Sequence, residues 1–133
     1  SSAGDIQWST TPLITQNQVY EGTGTVATVF TAGASGSYIQ RVRFKASGST
    51  TATVARLYIN NGSSNTTASN NLLFDEITLA AVTGVQTAAT TTYELPMNIA
   101  LPAGYKILAT IGTTQIAGGG WYVGAVGGSY LPI

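Results

Sequence analysis

The chain has no cysteine and no histidine. Without cysteine there is no disulfide and no thiol nucleophile. Without histidine, Ser-His-Asp and Cys-His catalytic arrangements cannot be built, and zinc or copper sites lose their main ligands. Charge is also scarce. Only 8% of the 133 residues are Asp, Glu, Lys or Arg, and the formal net charge is zero, where an ordinary soluble domain is about 25% charged. With no basic excess, nucleic-acid binding through counterion release has no footing. No apolar run reaches the about 18 residues a membrane-spanning helix needs, so no membrane partner is expected. Ser1 to Gly4 does not have the form of a signal peptide.

What is present is 44% hydrophobic residues and a polar complement dominated by Ser, Thr, Asn and Gln. The length suits one domain with one core. Neutral hydroxyls and amides cost less to desolvate than charges, so this surface is easily covered by a partner. Near-zero net charge removes the self-repulsion that keeps proteins monomeric, which favours an oligomer.

Thr and Val, whose branched side chains fit a pleated sheet, recur in short alternating segments separated by Gly, Asn, Ser and Pro. Strands are expected at Thr25–Thr31, Tyr38–Ala46, Thr53–Asn60, Leu72–Leu79, Tyr93–Ile99, Tyr105–Ile111 and Trp121–Val126, with a short edge strand at Gly84–Ala88. Period-two alternation puts Tyr38, Val42, Phe44 and Ala46 on one face and Ile39, Arg41, Arg43 and Lys45 on the other. It turns Ala55, Leu57 and Ile59 inward and Arg56 and Tyr58 outward, and makes Leu72, Phe74 and Ile77 the apolar positions of their strand. Tyr93, Leu95, Met97 and Ile99 share a face, and Pro96 marks an edge or a bulge. The count predicts an all-β fold: a single eight-stranded antiparallel sandwich, jelly-roll-like.

Few residues could carry chemistry. The carboxylates are Asp5, Glu21, Asp75, Glu76 and Glu94. Asp75 and Glu76 are neighbours on a strand and point to opposite faces, so the facing pair of a glycosidase is not expected there; solvent-facing charges, or ion pairs with Arg56 and Lys106, are. The polar loop from Asn60 to Asn71 offers oxygen ligands for calcium but no carboxylate until Asp75, and no cofactor is expected. Gly22-Thr23-Gly24 has no helix behind it to cradle a phosphate. Arg41, Arg43 and Lys45 form a basic stripe, read either as a solvated sheet face or as contact with an acidic partner. Trp121 and Tyr122 fall on opposite faces, with Trp121 expected in the core. The chain reads as a domain that builds or binds and does not catalyse.

The stretches Ile39-Gln40-Arg41-Val42-Arg43-Phe44-Lys45, Ala55-Arg56-Leu57-Tyr58-Ile59-Asn60-Asn61-Gly62, Leu101-Pro102-Ala103-Gly104-Tyr105 and Gly120-Trp121-Tyr122-Val123-Gly124-Ala125-Val126-Gly127-Gly128 resemble small virion-associated proteins of tailed bacteriophages, most of all capsid decoration (cement) proteins. The resemblance implies a homotrimer on the capsid exterior, a major capsid protein as partner, and an extended N-terminal arm over residues 1–20 before a sandwich domain over 21–133. On that reading Trp8, Leu13 and Ile14 in the arm, and Ile39, Arg41 and Arg43 on the outer strand face, bind the partner. The alternative is a tail-fibre or carbohydrate- and receptor-binding module, with Tyr58, Tyr122 and Tyr130 as the residues that meet a glycan.

Overall fold

The computed structural model describes residues 2–132. Eight strands run β1 (Ser2–Trp8), β2 (Ala27–Thr31), β3 (Ser37–Ala46), β4 (Thr53–Asn60), β5 (Asn71–Leu79), β6 (Thr92–Leu101), β7 (Lys106–Ile111) and β8 (Trp121–Tyr130), with one short 3-10 turn at Ala68–Asn70. They form two four-stranded antiparallel sheets, in the orders β1-β8-β3-β6 and β2-β7-β4-β5. Two facing sheets with those orders are the double Greek key of a jelly roll. The all-β sandwich expected from alternation is therefore the fold.

The core lies between the sheets. Ile39, Val42, Phe44, Trp121, Val123 and Ala125 from the first sheet meet Phe30, Ala55, Leu57, Ile107, Ala109 and Ile111 from the second. Trp121 is fully buried, as its strand parity predicts, and its ring meets Tyr93 edge-on at 5.8 Å between centroids. Tyr93, Leu95, Met97 and Ile99 all pack on this core, as alternation requires.

Parity fails where a strand carries an extra residue. Between Ile39 and Arg41 the register of β3 against β8 shifts, with Ile39 opposite Gly127 and Arg41 opposite Val126. A bulge inserts one residue and inverts which face the following side chains take. Ile39 is thus buried with Val42 and Phe44, and Tyr38 joins the arginines on the outside. That reverses the assignment of both residues. The backbones come together closely here, because a Cβ at Gly127 would overlap the Tyr38 carbonyl oxygen. A second shift, between Leu57 and Tyr58, pairs Tyr58 with Leu73 and leaves Phe74 as the extra residue of β5. Leu72 and Phe74, two of the apolar positions read from sequence, are exposed on this edge strand.

Two further expectations change. Gly84–Ala88 is not a strand; it holds only an isolated bridge between Val85 and Ala88. This connection is instead pinned to the turn before β4, where Thr50 donates its amide to Val82 O and Ser49 Oγ accepts from Gly84 N. The eighth strand comes from the N-terminal segment. Ser2–Trp8 pairs with β8 along its whole length, so residues 2–8 of the expected arm are the edge of the first sheet. Beyond it, Leu13 exchanges two main-chain hydrogen bonds with Trp121, and Asn17 N donates to Ile111 O. The segment between β1 and β2 thereby wraps over the second sheet.

That wrap buries the outer side of β4. Tyr58 Oη donates to Val19 O at 3.0 Å, and the Arg56 guanidinium stacks 4.1 Å from the centre of the Tyr20 ring. Arg56 Nε also reaches Glu76 at 3.0 Å, the ion pair anticipated from sequence. Both residues were expected outward, and outward they point, but into their own chain. The Asn60–Asn71 loop holds the wrap in place. Asn65 Nδ2 donates to the carbonyls of Gly22 and Gly24, and Asn71 Nδ2 to those of Glu21 and Asn65. Gly22 lies at φ 73°, against Asn71 and Tyr58; a side chain there would be strained in backbone and in space.

Candidate docking face on the outer sheet

The outer surface of the β1-β8-β3-β6 sheet is built in rows by the strand register. Opposite residues give Trp8-Gly124-Arg43-Glu94 across the four strands, with Ile6-Val126-Arg41-Pro96 beside it. Along β8 the outward positions are Tyr122, Gly124, Val126, Gly128 and Tyr130, while Trp121, Val123 and Ala125 point into the core. The two glycines leave a low floor on the central strand, and larger side chains rise on either side.

The apolar members of this face are unusually open. Ile6, Trp8 and Tyr122 are 62%, 63% and 50% exposed, and Tyr38 and Tyr130 are also exposed. Trp8, Tyr122, Gly124, Val123, Arg43 and Lys45 enclose a shallow, almost wholly apolar concavity of about 280 Å³. At the far end of the same floor, Tyr38, Tyr130 and Gly128 line another of about 340 Å³. A soluble domain rarely gathers several exposed aromatic residues on one sheet face without a partner to cover them.

The face is also cationic. Arg41 Nε lies 2.8 Å from Glu94 Oε2, off the hydrogen-bond axis, and Arg43 donates to the same oxygen from Nε and Nη2 at 3.2 and 3.1 Å. One carboxylate thus serves two guanidinium groups. Lys45 donates to Thr90 O and to Thr92 Oγ1, both neutral. With Glu94 as its one acid, the face carries two more positive charges than negative. Arg56 and Lys106 set against Asp5, Glu21, Asp75 and Glu76 leave the rest of the chain with the opposite excess. The ion pairs are partly exposed and contribute little to folding; they tie both guanidinium groups to Glu94.

Of the residues singled out from sequence, the fold brings Trp8, Arg41, Arg43 and Tyr122 onto this face and puts Tyr130 at its end. It does not bring Ile39, which is in the core, or Tyr58, which is fully buried under Val19. Tyr58 therefore cannot meet a glycan. Leu13 packs partly against the core, and Ile14 is exposed elsewhere, along the wrap. Ile6 and Val126 join the face without having been singled out from sequence, and Glu94, expected only as a solvent-facing or ion-paired carboxylate, holds both arginines. The alternation of β8 contained a signal for Val126, because burying Trp121 and Val123 turns Val126 outward with Tyr122.

The carboxylates do not assemble. Glu76 is held by Arg56 and Glu94 by Arg41 and Arg43, while Asp5 accepts from Ser129 Oγ at 2.6 Å and from Gln7. Among the described residues no group of three Asp or Glu could hold a metal ion. The Asn60–Asn71 loop spends its amides on main-chain carbonyls and on each other.

No family model matches the chain, and no curated protein matches it. A chain from the structure of infectious bursal disease virus Gt strain is similar at 15% identity with a TM-score of 0.34, over 96% of this chain and 32% of that one. The present chain therefore spans about a third of the length of that solved chain. A similarity of that size carries no argument about function, and the jelly roll is established by this chain's own strand order.

Proposed function

We propose that the protein is a non-catalytic docking module that attaches to a larger protein surface through the outer face of the β1-β8-β3-β6 sheet. The observation that carries this is the pair of exposed rings, Trp8 and Tyr122, around the Gly124 floor beside Arg43 and Lys45. Aromatic and arginine side chains in one patch are the usual anchors of a protein interface. The excess positive charge on the face suits a partner surface that is acidic. Read with the resemblance to phage decoration proteins, the partner is the major capsid protein, the location is the capsid exterior, and the role is to brace the shell with many weak contacts repeated by symmetry.

The test is binding of the purified protein to capsids that lack it. Tyr122→Ala and Arg43→Glu should each weaken binding by roughly 30-fold, the effect of losing an interface anchor. Unchanged binding by both variants, or absence of the protein from purified virions, overturns the proposal.

A glycan-binding role is the second reading, favoured by the same rings, since a sugar stacks on exposed aromatic faces. It predicts that an oligosaccharide quenches the fluorescence of Trp8, while Trp121, sealed in the core, stays unaffected. No quenching across a panel of sugars removes it.

A further inference from the structure

The edges of the two sheets are not alike. Edge strands that must stay single are blunted by proline, bulges or brevity. Edge strand β6 carries Pro96 and a left-handed Asn98 at φ 50°. Edge strand β5 is bulged at Phe74. Edge strand β2 is short, and the Gln7 side chain occupies the amide and carbonyl of its Thr31. Edge strand β1 is neither short nor interrupted, and its one charged residue, Asp5, points inward, where Ser129 and Gln7 donate to it. It runs seven residues without proline, lysine or a bulge, and among the described residues only β8 pairs with it.

The orientation of its free groups follows from one hydrogen bond. Ser9 N donates to Val123 O at 3.0 Å, so Ser9 aims its amide at β8. In an antiparallel ladder that direction alternates. Ala3, Asp5 and Gln7 therefore also face β8, and Ser2, Gly4, Ile6 and Trp8 present their N–H and C=O groups at the open edge. The side chains of Ile6 and Trp8 lie on the outer surface of the sheet, and Gly4 leaves that surface bare.

We propose that this edge pairs with the same strand of a second copy, antiparallel about a two-fold axis through Ile6. In that register Ile6 meets Ile6, Trp8 lies opposite Gly4 and Asp5 lies opposite Gln7. A Cβ at Gly4 would have nothing within 4 Å, so there is room for the indole, which already lies beside Gly124 within its own chain. Shifting the axis to Asp5 would set two carboxylates against each other. Shifting it to Gln7 would oppose the two bulky residues Ile6 and Trp8. The Ile6 register pairs the outward groups of Gly4, Ile6 and Trp8 in about six main-chain hydrogen bonds with no like charges opposed, seats each indole over a glycine, and continues the sheet across both copies. The contact is isologous and closes on itself.

This pairing is independent of the docking role, because it is read from the pure protein by mass. Sedimentation of the wild-type chain at micromolar concentration should give twice the chain mass. Ile6→Pro removes an N–H that faces the open edge, and Gly4→Lys puts a charge where the partner's indole would sit. Each should give a monomer with an unchanged far-ultraviolet spectrum. In the wild type, exchange of the Gly4, Ile6 and Trp8 amides should quicken about tenfold or more on dilution, a readout that needs no variant. A wild-type monomer, a mass of three chains, a dimer that survives Ile6→Pro and Gly4→Lys, or amide exchange indifferent to dilution would each overturn the pairing.

Discussion

Gln7 closes one side of the sandwich by treating Thr31 as a strand partner. Its side-chain Oε1 accepts from the Thr31 amide at 2.9 Å, and its Nε2 donates to the Thr31 carbonyl at 3.1 Å. A primary amide has the donor and acceptor of a peptide group, so one side chain ties the edge of the first sheet to the edge of the second. Gln7→Ala should leave both Thr31 groups unpaired and cost about 2 kcal/mol. Urea midpoints of the two proteins measure it, and an unchanged midpoint would show that water replaces the amide at no cost.

The bulge at Gln40 makes opposite demands on two adjacent residues. Ile39→Ala should cost about 3 kcal/mol, because it opens a cavity in the core. Tyr38→Ala, on the exposed face, should cost about 1 kcal/mol or less. The reverse order in thermal unfolding would restore simple alternation through β3.

Gly127 is required by its closeness to the Tyr38 carbonyl. Gly127→Ala should destabilise by about 3 kcal/mol or prevent folding, since backbone rather than a flexible side chain must move. Gly4→Ala, with open space around it, should change stability by no more than about 0.5 kcal/mol. Equal yields and melting temperatures for the two variants would contradict this.

Burial pushes the Tyr58 hydroxyl above its ordinary value of 10.0. The folded state then holds its proton at a pH where the unfolded chain has begun to lose it. The stability tied to this group is complete below pH 10 and falls as pH rises through the folded value. Tyr58→Phe should lose about 1 kcal/mol at neutral pH with the bond to Val19, and should show a shallower decline under alkaline conditions. Urea titrations at a series of pH values decide this; parallel alkaline declines would mean that other groups carry it.

Asn71 holds the wrap over the second sheet. Its Nδ2 donates to Glu21 O and Asn65 O, and its Oδ1 accepts from Asn60 Nδ2 at 2.8 Å. Asn71→Ala should cost about 2 kcal/mol and make the chain between β1 and β2 easier to cleave in limited proteolysis. Cleavage at the wild-type rate would show that Asn65 suffices.

Sequence alone determined the class of fold, the positions of seven of the eight strands and the inward direction of Trp121 and of the β6 residues. It could do so because half-buried strands write a period of two into the chain. It also excluded histidine and cysteine chemistry outright. It could not reveal β1, because Ser-Ala-Gly-Asp-Ile-Gln-Trp has no buried apolar face to alternate.

Tertiary structure decided the rest. A single extra residue at Gln40 exchanged the roles of Tyr38 and Ile39, and a bulge is set by how neighbouring strands meet, with no local pattern of its own. Tyr58 and Arg56 point outward as parity requires, yet they are buried, because a segment some forty residues away in sequence folds over them. The candidate docking face is assembled by four strands distant in the chain that lie side by side, bringing Trp8 next to Gly124 and Arg43 next to Glu94. Period two assigns a side chain to a face; the packing of the sheets decides whether that face meets water, the core or the chain's own loop.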